Sequence, residues 1–512
     1  MQISTAENLV ARNPATGEII TQVKMTRLEE IKDIYVQSRD AQKVWASKSI
    51  KERMESFKRL RLEMVERMEE IAEVISKSTG KVLTEAITAD IMPTIDAIMH
   101  IEKHSERGLK RKKVKTPLLL IGKKSYVEWM PRGAVLIISP WNYPLNLAMV
   151  PVLSALAGGN SVILKPSEVT PLVGEIMGEL FRGKGFPSHI VQVVQGGKEI
   201  GEALTSASPD YIFFTGSVQT GKKIGEAAAR NLIPSTLELG GKDPMIIFED
   251  ANLERAAKGA VWGAFTNSGQ VCMSTERLYV EQSVYHKFLK LIREEAGRIK
   301  QGVSVDDDLG SMTSEAQKEI LKVQITEAIH SGAILETGVH PDEWDERLFL
   351  PLMILTNVSP EMSIMKEESF GPVLPIMTFE TMEEVIELAN STRYGLNASV
   401  WSRDLEKAKM AAGRLLSGAV VINDVITSVA NHHLPFGGVK ESGIGRYHGE
   451  QGIQIFCHEK AVLEDSGKRR TEVQWFPYEG KYPLFIKLFK SYFGKRKNYL
   501  NFVDAYIRLL RK

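Results

Sequence analysis

The sequence predicts an α/β protein with two open α/β domains, a small β element and a basic helical tail. The first observation is an alternation of short β-rich runs with helix-like segments, which is typical of βαβ units and parallel sheets. One series of runs (GAVLIIS, SVILKPS, IVQVVQG and YIFFTGS) persists to about Gly240. A second series begins at Pro244 and extends to about Asp424. Two series indicate two domains, and a ligand site is expected in the cleft between them.

The second observation is an uneven distribution of charge. The 512 residues carry a formal net charge of +1, but the segment from Lys468 to the end contains twelve basic and three acidic residues. This segment therefore carries +9 and the remainder −8, which marks a boundary near residue 466. From Leu484 apolar residues recur at helical spacing with lysines between them, Gly494 ends the pattern, and residues 499–510 form a second predicted helix.

Basic amphipathic helices with aromatic residues are typical of proteins that bind an anionic membrane surface. No run of the tail reaches the roughly 18–20 apolar residues that a membrane span requires. The alternatives for the tail are therefore attachment to a membrane surface and packing across a neighbouring subunit as an oligomer arm. Nucleic acid is not expected as a partner, because the remainder of the chain is acidic and carries no nucleic-acid-binding motif.

The cysteine content and the N-terminus bear on the compartment. Only Cys272 and Cys457 are present, which excludes a disulfide framework and favours a reducing environment. The N-terminal segment lacks the basic and apolar regions of a secretory signal. A cytoplasmic location is expected, with a peripheral position at the inner face of a membrane if the tail binds lipid.

The uncharged stretch Gly133–Leu164 could be mistaken for a membrane span. Pro140, Pro144 and Pro151 interrupt it, and a lipid-facing helix tolerates such interruptions poorly. The stretch instead predicts a buried strand, a buried helix and a second strand, at residues 134–139, 145–157 and 161–165.

One cysteine is a candidate nucleophile. Cys272 lies in FTNSGQVCMS (residues 265–274), after an alanine-rich helix and a Gly-Gln turn. A cysteine becomes nucleophilic when its thiolate is accessible and stabilised. For a cysteine taken alone, a buried structural role is the commoner case.

Two polar residues follow predicted strand ends. Glu238 in LELGGKDP precedes two glycines, and partial desolvation there raises the pKa of a carboxyl group toward that of a useful base. The alternative is a glutamate that caps a turn or pairs with Lys242. Asn142 in SPWNYP can donate its amide NH2 to a developing oxyanion, or it serves only as a turn former.

Two motifs suit a nucleotide. Lys165 and Glu168 in LKPSE end a strand, where open α/β sheets bind nucleotides, and both can hydrogen-bond an adenosine ribose. Gly216 and Ser217 in FTGSVQTGKKIG precede a helix whose first NH groups suit a pyrophosphate, although the GxGxxG spacing is absent. The alternative for the charged pair is ordinary solvated side chains.

A last motif, EESFGP (residues 367–372), contains Glu368, which can hold a ribose, and Phe370, which can flank a flat ring. The alternative is a loop whose phenylalanine only packs.

The motifs resemble the aldehyde dehydrogenase superfamily in their combination and order. They are PWNYP, LKPSE, FTGS, LELGGK, NSGQVC, EESFGP and PFGGVKESGIGR. The match runs from about Asn13 to about Val462. Residues 423–439 resemble the class 3, fatty-aldehyde side of that superfamily, whereas GQVCMSTERLYV resembles other branches, so no substrate is assigned by subfamily.

The resemblance implies oxidation of an aldehyde to a carboxylic acid with NAD(P)+, through a thiohemiacetal and a thioester on Cys272. It implies Glu238 as the general base, and Asn142 with the Cys272 backbone NH as the oxyanion hole. The implied cofactor contacts are Ser139, Trp141, Lys165, Glu168, Gly216, Ser217, Gly221, Leu239, Glu368 and Phe370, and Phe436 is implied in the substrate tunnel. Glu168 favours NAD, because a carboxylate binds a 2′-hydroxyl but repels a 2′-phosphate; NADP is the alternative. No metal is expected.

The resemblance also implies a domain order. Residues 1–240 form a Rossmann-like NAD-binding domain with an oligomerisation hairpin at residues 123–133, and residues 241–425 form the catalytic domain. Residues 426–465 return to the first domain and add an oligomerisation strand from Ile453 to Val462, and residues 466–512 form the tail. An exposed strand edge invites pairing, so a homodimer or homotetramer is expected.

Two other classes of protein compete with this interpretation. A cysteine hydrolase or thioesterase would pair Cys272 with His432 or His433 and need no nicotinamide, but the PWNYP, FTGS and EESFGP motifs argue against it. A non-catalytic protein would not need Cys272, Glu238 and Asn142 together.

If the tail binds a membrane, the expected substrate is a lipophilic aldehyde, such as a long-chain fatty or apocarotenoid aldehyde delivered from the bilayer.

Overall fold

The computed structural model describes residues 7–512. The start of the N-terminal segment, on which the predicted lack of a secretory signal partly rests, lies outside the described residues. The strands, in chain order, are β1 (Asn8–Arg12), β2 (Ile19–Lys24), β3 (Lys112–Val114), β4 (Lys124–Pro131), β5 (Ala134–Ile138), β6 (Ser161–Lys165), β7 (Val191–Val193), β8 (Tyr211–Thr215), β9 (Ser235–Glu238), β10 (Asp243–Ile247), β11 (Thr275–Glu281), β12 (Ile334–Thr337), β13 (Met353–Thr356), β14 (Val373–Phe379), β15 (Asn397–Trp401), β16 (Ala419–Ile422), β17 (Gly443–Ile444) and β18 (Cys457–Glu464).

The helices, in chain order, are α1 (Ile31–Ser47), α2 (Ile50–Glu66), α3 (Met68–Thr79), α4 (Leu83–Glu85), α5 (Met92–Gly108), α6 (Asn146–Ala157), α7 (Pro171–Leu180), α8 (Lys198–Ser206), α9 (Val218–Arg230), α10 (Leu253–Phe265), α11 (Tyr285–Ala296), α12 (Glu315–His330), α13 (Ser363–Lys366), α14 (Met382–Asn390), α15 (Leu405–Ala412), α16 (Gln451–Gln454), α17 (Tyr482–Phe493) and α18 (Tyr499–Leu510). A π-helical turn, Ala86–Ile91, precedes α5. The chain forms two compact units, one from residues 7–110 and 129–459 and one from residues 111–128 and 460–512.

The larger unit contains two open sheets. The six-stranded sheet has the order β17-β9-β8-β5-β6-β7, with parallel neighbours except for β17. The seven-stranded sheet has the order β12-β13-β14-β11-β10-β15-β16, with parallel neighbours except for β12. This confirms the predicted α/β class. The second sheet draws its strands from residues 243–422, and the first regains a strand at residues 443–444, an arrangement that supports the domain order we propose.

Burial on both faces explains the uninterrupted apolar strands of the first sheet. In β5, Val135 and Ile137 join one hydrophobic core, and Ala134 and Leu136 join another on the opposite face, as the two-residue period of a strand requires. The predicted strand, helix and strand of residues 133–165 are confirmed as β5, α6 and β6. Pro151 lies inside α6, in a helix buried by the protein and not by lipid.

The smaller unit contains a helical hairpin. Its helices α17 and α18 match the two predicted tail helices, and α17 ends at Gly494 as predicted. Part of the aromatic surface is used within the unit, where Leu488, Phe502, Tyr506 and Leu509 are buried in a shared core. Nowhere in residues 7–512 does a helix combine the length and apolar composition that crossing a membrane requires.

A three-stranded sheet of order β18-β4-β3 completes the fold. It contains the predicted hairpin strand as β4. The strand predicted from Ile453 begins only at Cys457, so that boundary was wrong: residues 451–454 form the short helix α16, and Ile453 and Phe456 are buried in the core of the larger unit. Residues of β18 beyond Cys457 are mostly exposed.

Candidate active site

Cys272 follows a sharp turn at the end of α10. Asn267, Ser268 and Gly269 adopt consecutive left-handed conformations, with φ values of 51°, 54° and 71°. A Cβ atom at Gly269 would lie 2.1 Å from the Gly371 carbonyl oxygen, so only glycine fits there. A Cβ atom at Gly241 would similarly lie 2.4 Å from the Cys272 carbonyl oxygen. These glycines explain how the chain presents a partly buried cysteine between the two sheets.

Most of the predicted site residues line one cleft of about 270 Å³ in the larger unit. The cleft is lined by all three predicted catalytic residues. The predicted pyrophosphate turn and the EESFGP motif also contribute residues to it. The predicted residues that line the cleft are Trp141, Asn142, Gly216, Ser217, Glu238, Leu239, Cys272, Glu368 and Phe370.

Asn142 is held by a buried polar network. Its side-chain Nδ2 donates a hydrogen bond to the Gln270 carbonyl oxygen at 2.9 Å, which leaves its second amide hydrogen for another acceptor. The backbone carbonyl oxygen of Asn142 accepts hydrogen bonds from Lys81 Nζ at 2.8 Å and from Asn267 Nδ2 at 3.2 Å. Lys81 Nζ also pairs with the buried Asp90 carboxylate at 2.7 Å. The amide is therefore positioned in advance, as an oxyanion donor must be.

Glu238 ends β9 and is buried, at 3% exposure. Neither of its carboxyl oxygens has a hydrogen-bond partner among the described residues. Burial raises the pKa of this carboxyl group well above its ordinary value, and the positive charge of Arg446 opposes the effect only partly. The alternative pairing with Lys242 is wrong, because Lys242 Nζ pairs with Glu276 at 2.8 Å. A buried carboxyl group with free oxygens is suited to accept a proton from water.

The Lys242–Glu276 pair fixes the EESFGP loop. The Glu276 carboxylate accepts backbone hydrogen bonds from Ser369 at 2.8 Å and from Phe370 at 2.9 Å. Phe370, at a φ of 53°, places its ring perpendicular to that of Trp141, with 5.5 Å between the ring centroids. The loop is thus held by charge-assisted hydrogen bonds beneath the cleft.

Glu368 of this loop points to the glycines after β9. Its Oε1 accepts a hydrogen bond from the Gly241 NH at 3.1 Å. Burial, followed by the negative charge of Glu276, raises the pKa of Glu368 to about 8. This side chain therefore keeps its proton to a higher pH than an exposed glutamate, and in the protonated form it can donate as well as accept a hydrogen bond.

The cleft also raises the pKa of Cys272. Burial is the largest cause, and the carboxyl groups of Glu368, Asp243 and Glu238 add to it. The resting thiol is consequently protonated near neutral pH, and it needs a base or a nearby positive charge to become a nucleophile.

The far end of the cleft suits an anionic nucleotide. Ser217 caps α9, a helix of 13 residues, and the first residues of this helix line the cleft. The hydroxyl group of Thr215, which lines the cleft, is buried without a hydrogen-bond partner among the described residues. A helix N-terminus together with an unused buried hydroxyl group fits a phosphate-bearing group.

Five predicted residues lie elsewhere. Ser139 follows β5 and is buried at the strand end. Lys165 and Glu168 form an ion pair of 3.1 Å beside the end of β6. Gly221 packs against Leu239, where a Cβ atom would come within 2.4 Å of Leu239 Cδ2. Phe436 packs against Tyr447, with ring centroids 5.4 Å apart.

The two histidines of the hydrolase alternative do not reach Cys272. Nε2 of His432 lies 3.1 Å from the Pro93 carbonyl oxygen, and the His433 ring packs edge-on against His100. Within residues 7–512, no histidine lines the cleft that contains Cys272. The site therefore lacks the imidazole that such a hydrolase uses as its base.

Sequence reasoning missed several supporting residues. Asn267 is the first residue of the NSGQVC motif, so its place in that motif could have indicated a role near Cys272. Lys81 and Asp90 lie in no motif that was recognised, and only the fold brings them to Asn142. The same holds for Gln317 and Arg393, which line the cleft.

Proteins of similar sequence identify the family. The model of the aldehyde dehydrogenase family matches residues 2–462. The 4,4'-diapolycopene aldehyde oxidase of Methylomonas sp is 40% identical over 471 residues, 92% of this chain and 88% of that protein. The 4,4'-diaponeurosporen-aldehyde dehydrogenase of Staphylococcus aureus is 36% identical over 450 residues, 87% of this chain and 96% of that protein.

Solved structures agree. An aldehyde dehydrogenase from Bacillus cereus, solved as an NAD+ complex, matches with a TM-score of 0.85 and 32% identity, covering 90% of this chain and 93% of that one. The chain belongs to the aldehyde dehydrogenase family. This confirms the resemblance, the fold class and, at the level of the family, the prediction of an NAD(P)-dependent aldehyde dehydrogenase.

Proposed function

We propose that this protein oxidises a lipophilic aldehyde to its carboxylic acid with NAD(P)+, through a thioester on Cys272. The observation that carries the proposal is the convergence of Cys272, Glu238 and Asn142 on one cleft whose other end fits an anionic nucleotide. In this assignment Cys272 is the nucleophile, Glu238 the general base and Asn142 an oxyanion donor.

The chemistry follows from these positions. The Cys272 thiol first gives up its proton to solvent water, and the resulting thiolate adds to the aldehyde carbon. The oxyanion then accepts hydrogen bonds from the free Asn142 amide hydrogen and the Cys272 NH. One such donor contributes about 3–4 kcal/mol. A nicotinamide cofactor held at the Ser217 end of the cleft would supply the acceptor for the hydride that leaves this carbon, and the adduct on Cys272 would thereby become a thioester. Glu238 then takes a proton from water, and the hydroxide adds to the thioester. The acid leaves, and the departing Cys272 thiolate takes up the proton held by Glu238.

The contacts of Lys165 bear on the choice of cofactor. Glu168 is expected to favour NAD through the ribose hydroxyls. Its carboxylate pairs with Lys165 at 3.1 Å, so part of its negative charge is neutralised. We therefore propose NAD as the preferred cofactor, with NADP accepted less well.

The relatives support a lipophilic substrate, because two of them are named for carotenoid-type aldehydes. We expect kcat/KM to rise with aldehyde chain length, since each buried CH2 contributes about 0.8 kcal/mol, or roughly fourfold. NADH formation across straight-chain aldehydes from two carbons to long chains, together with an apocarotenoid aldehyde, measures this. A maximum at the shortest aldehydes would contradict the proposed substrate class.

We also propose that the protein forms a homodimer or homotetramer through its three-stranded sheet. β3 and β18 lie at the two edges of this sheet, and β18 is mostly exposed. Exposed edges of this kind pair with another chain.

The tail hairpin is proposed to bind an anionic membrane surface and to keep the enzyme near a lipophilic substrate. The exposed apolar residues on its surface include Phe489 and Phe493 on α17 and Leu500, Val503 and Ile507 on α18. Basic residues that are exposed and have no ion-pair partner among the described residues accompany them, namely Lys490, Lys495, Arg496 and Lys497. Each contributes about 1 kcal/mol at an anionic surface.

Reversing the charge of Lys490, Lys495 and Arg496 to glutamate is expected to abolish co-sedimentation with phosphatidylglycerol vesicles at low salt. A matched variant with Lys51, Lys58 and Lys258 changed to glutamate has the same net charge, and its substituted positions are exposed in the larger unit. This control variant should co-sediment with the vesicles as the unchanged protein does. High salt should weaken the co-sedimentation of the control variant and of the unchanged protein.

The competing oligomer-arm role has a separate signature. If unchanged protein stays in the supernatant, the membrane assignment is wrong. Light scattering of the full chain and of a variant ending at Asp465 then tests whether the tail joins subunits. If the tail is an oligomer arm, the shortened variant forms a smaller oligomer; if it is not, both proteins form the same oligomer. A monomeric full chain at micromolar concentration would refute the proposed assembly.

A further inference from the structure

Five histidines gather beside the candidate active site without lining it. His100 and His104 lie on α5, His432 and His433 lie in the loop after β16, and His448 follows β17. Ten histidines occur in the chain, so half of them meet in this one region. The proposed oxidation uses none of them.

Three of these rings face one another. His100 and His104 are four residues apart on one helix, which places them on the same face, and their rings stack with centroids 4.4 Å apart. The His433 ring meets both edge-on, at 4.5 Å from His100 and 5.0 Å from His104. One ring nitrogen from each of the three lies within 4.8 Å of the others.

A contact within α5 selects the tautomer of the neutral His104 ring. Its Nδ1 lies 2.8 Å from the His100 carbonyl oxygen. A carbonyl oxygen only accepts, so in the neutral ring Nδ1 carries the hydrogen and Nε2 has the lone pair. Metal-binding histidines in proteins commonly have this arrangement, with the far ring nitrogen donating to a carbonyl group.

We propose that His100, His104 and His433 bind one divalent transition-metal ion of the zinc type, with water at the remaining position. Three imidazoles and an open position match the ligand preference of Zn²⁺. Zinc–nitrogen bonds of about 2.0–2.1 Å require nitrogens about 3.4 Å apart, so the rings close in by at most roughly 1.4 Å through side-chain rotation.

The surroundings leave room for the ion. The three histidines line a surface cavity of about 140 Å³. The Asp96 carboxylate also lines it and offsets the charge of a cation, whereas the ammonium of Lys103, which lines it too, opposes one. His432 stays outside the ligand set, because its Nε2 is directed at the Pro93 carbonyl oxygen at 3.1 Å.

Such an ion would fasten the loop of His433 to α5. This loop ends at Phe436, whose backbone pairs with Tyr447 and whose ring packs 5.8 Å from His448. A Cβ atom at Gly437 would lie 2.9 Å from Glu238 Oε1. If the proposed function holds, on which this step rests, metal binding changes the KM for long aldehydes through the segment of Phe436 and Gly437 beside Glu238, and it leaves kcat for short aldehydes unchanged.

Binding is tested without relying on activity. Protein free of a polyhistidine tag and carrying Cys272→Ala, which removes the competing thiol, is titrated with Zn²⁺ by calorimetry and with Co²⁺ by visible absorption. One equivalent and the intense bands of four-coordinate cobalt are expected. His104→Gln and His433→Gln should each weaken binding by at least about tenfold, whereas His330→Gln, at an exposed helix end, should not.

Equal weak binding by all of these proteins, or only the spectrum of hydrated cobalt, would overturn the metal site. The kinetic consequence is measured with active protein and its His104→Gln variant, each with Zn²⁺ and with chelator. A metal-dependent KM for a long aldehyde is expected only where His104 is present, and inhibition through Cys272 would instead affect both proteins alike. Binding without any aldehyde oxidation would reject the proposed function and leave the metal site standing.

Discussion

Replacing Cys272 by alanine is expected to abolish aldehyde oxidation, lowering turnover by at least about 10⁴-fold, as loss of the nucleophile does in enzymes with a covalent intermediate. The substitution removes the only thiol that lines the cleft among residues 7–512. NAD binding should survive, because the helix N-terminus at Ser217 and the glycines after β9 are untouched. NADH formation and calorimetric NAD titration measure the two effects.

Cys457→Ala is the matched control. Cys457 is the other free cysteine, and it lies buried at the start of β18, outside the cleft. Its replacement should leave turnover per folded molecule unchanged. Normal turnover by the purified Cys272→Ala protein would reject the assignment and make Cys457 the candidate nucleophile.

Replacing Glu238 by glutamine is expected to separate the two halves of the reaction. Hydride transfer needs no base at this position, so a first burst of NADH close to one equivalent should persist. Hydrolysis of the thioester should slow by about 10²–10⁴-fold, the usual contribution of a general base. Rapid mixing of enzyme with NAD+ and aldehyde measures both phases, and equal slowing of both would contradict the role.

The pH dependence supplies a second readout for Glu238. Burial raises the pKa of this carboxyl group, and a base works only when deprotonated. Where hydrolysis limits turnover, the steady-state rate should therefore fall as the pH is lowered through this raised pKa. The Glu238→Gln protein should lose that limb of the profile, whereas Glu441→Gln, at a partly exposed ion pair with Lys222, should keep it.

The sequence predicted the parts of the fold that depend on local patterns. The apolar run of β5 and the glycine-rich turns after β8 and β9 are readable because a buried parallel strand and a tight turn each restrict the residues they accept. The ion pairs Lys81–Asp90 and Lys242–Glu276 were not predicted. In each pair the two residues belong to no common sequence motif, and only the fold of the chain shows that they are in contact.

The candidate site shows the same division. That Cys272, Glu238 and Asn142 meet in one cleft could be predicted because each stands in a recognisable motif at a strand or helix end. The histidine cluster was not expected, since His433 is more than 300 positions from His104 in the chain and no spacing rule connects them. Likewise, the boundary at Ile453 failed because alternating apolar residues also suit a short buried helix.

The discontinuous build of the smaller unit has a consequence for biosynthesis. Leu118 and Leu119 pack against the core of the tail hairpin, and Lys123 pairs with Asp465, which lies 342 residues later. At about 5–20 residues per second, a ribosome needs roughly 20–70 s to supply that partner segment. Throughout this interval the nascent chain carries an uncovered leucine pair, so the protein should depend on chaperones during translation, and stalled or prematurely terminated chains should aggregate.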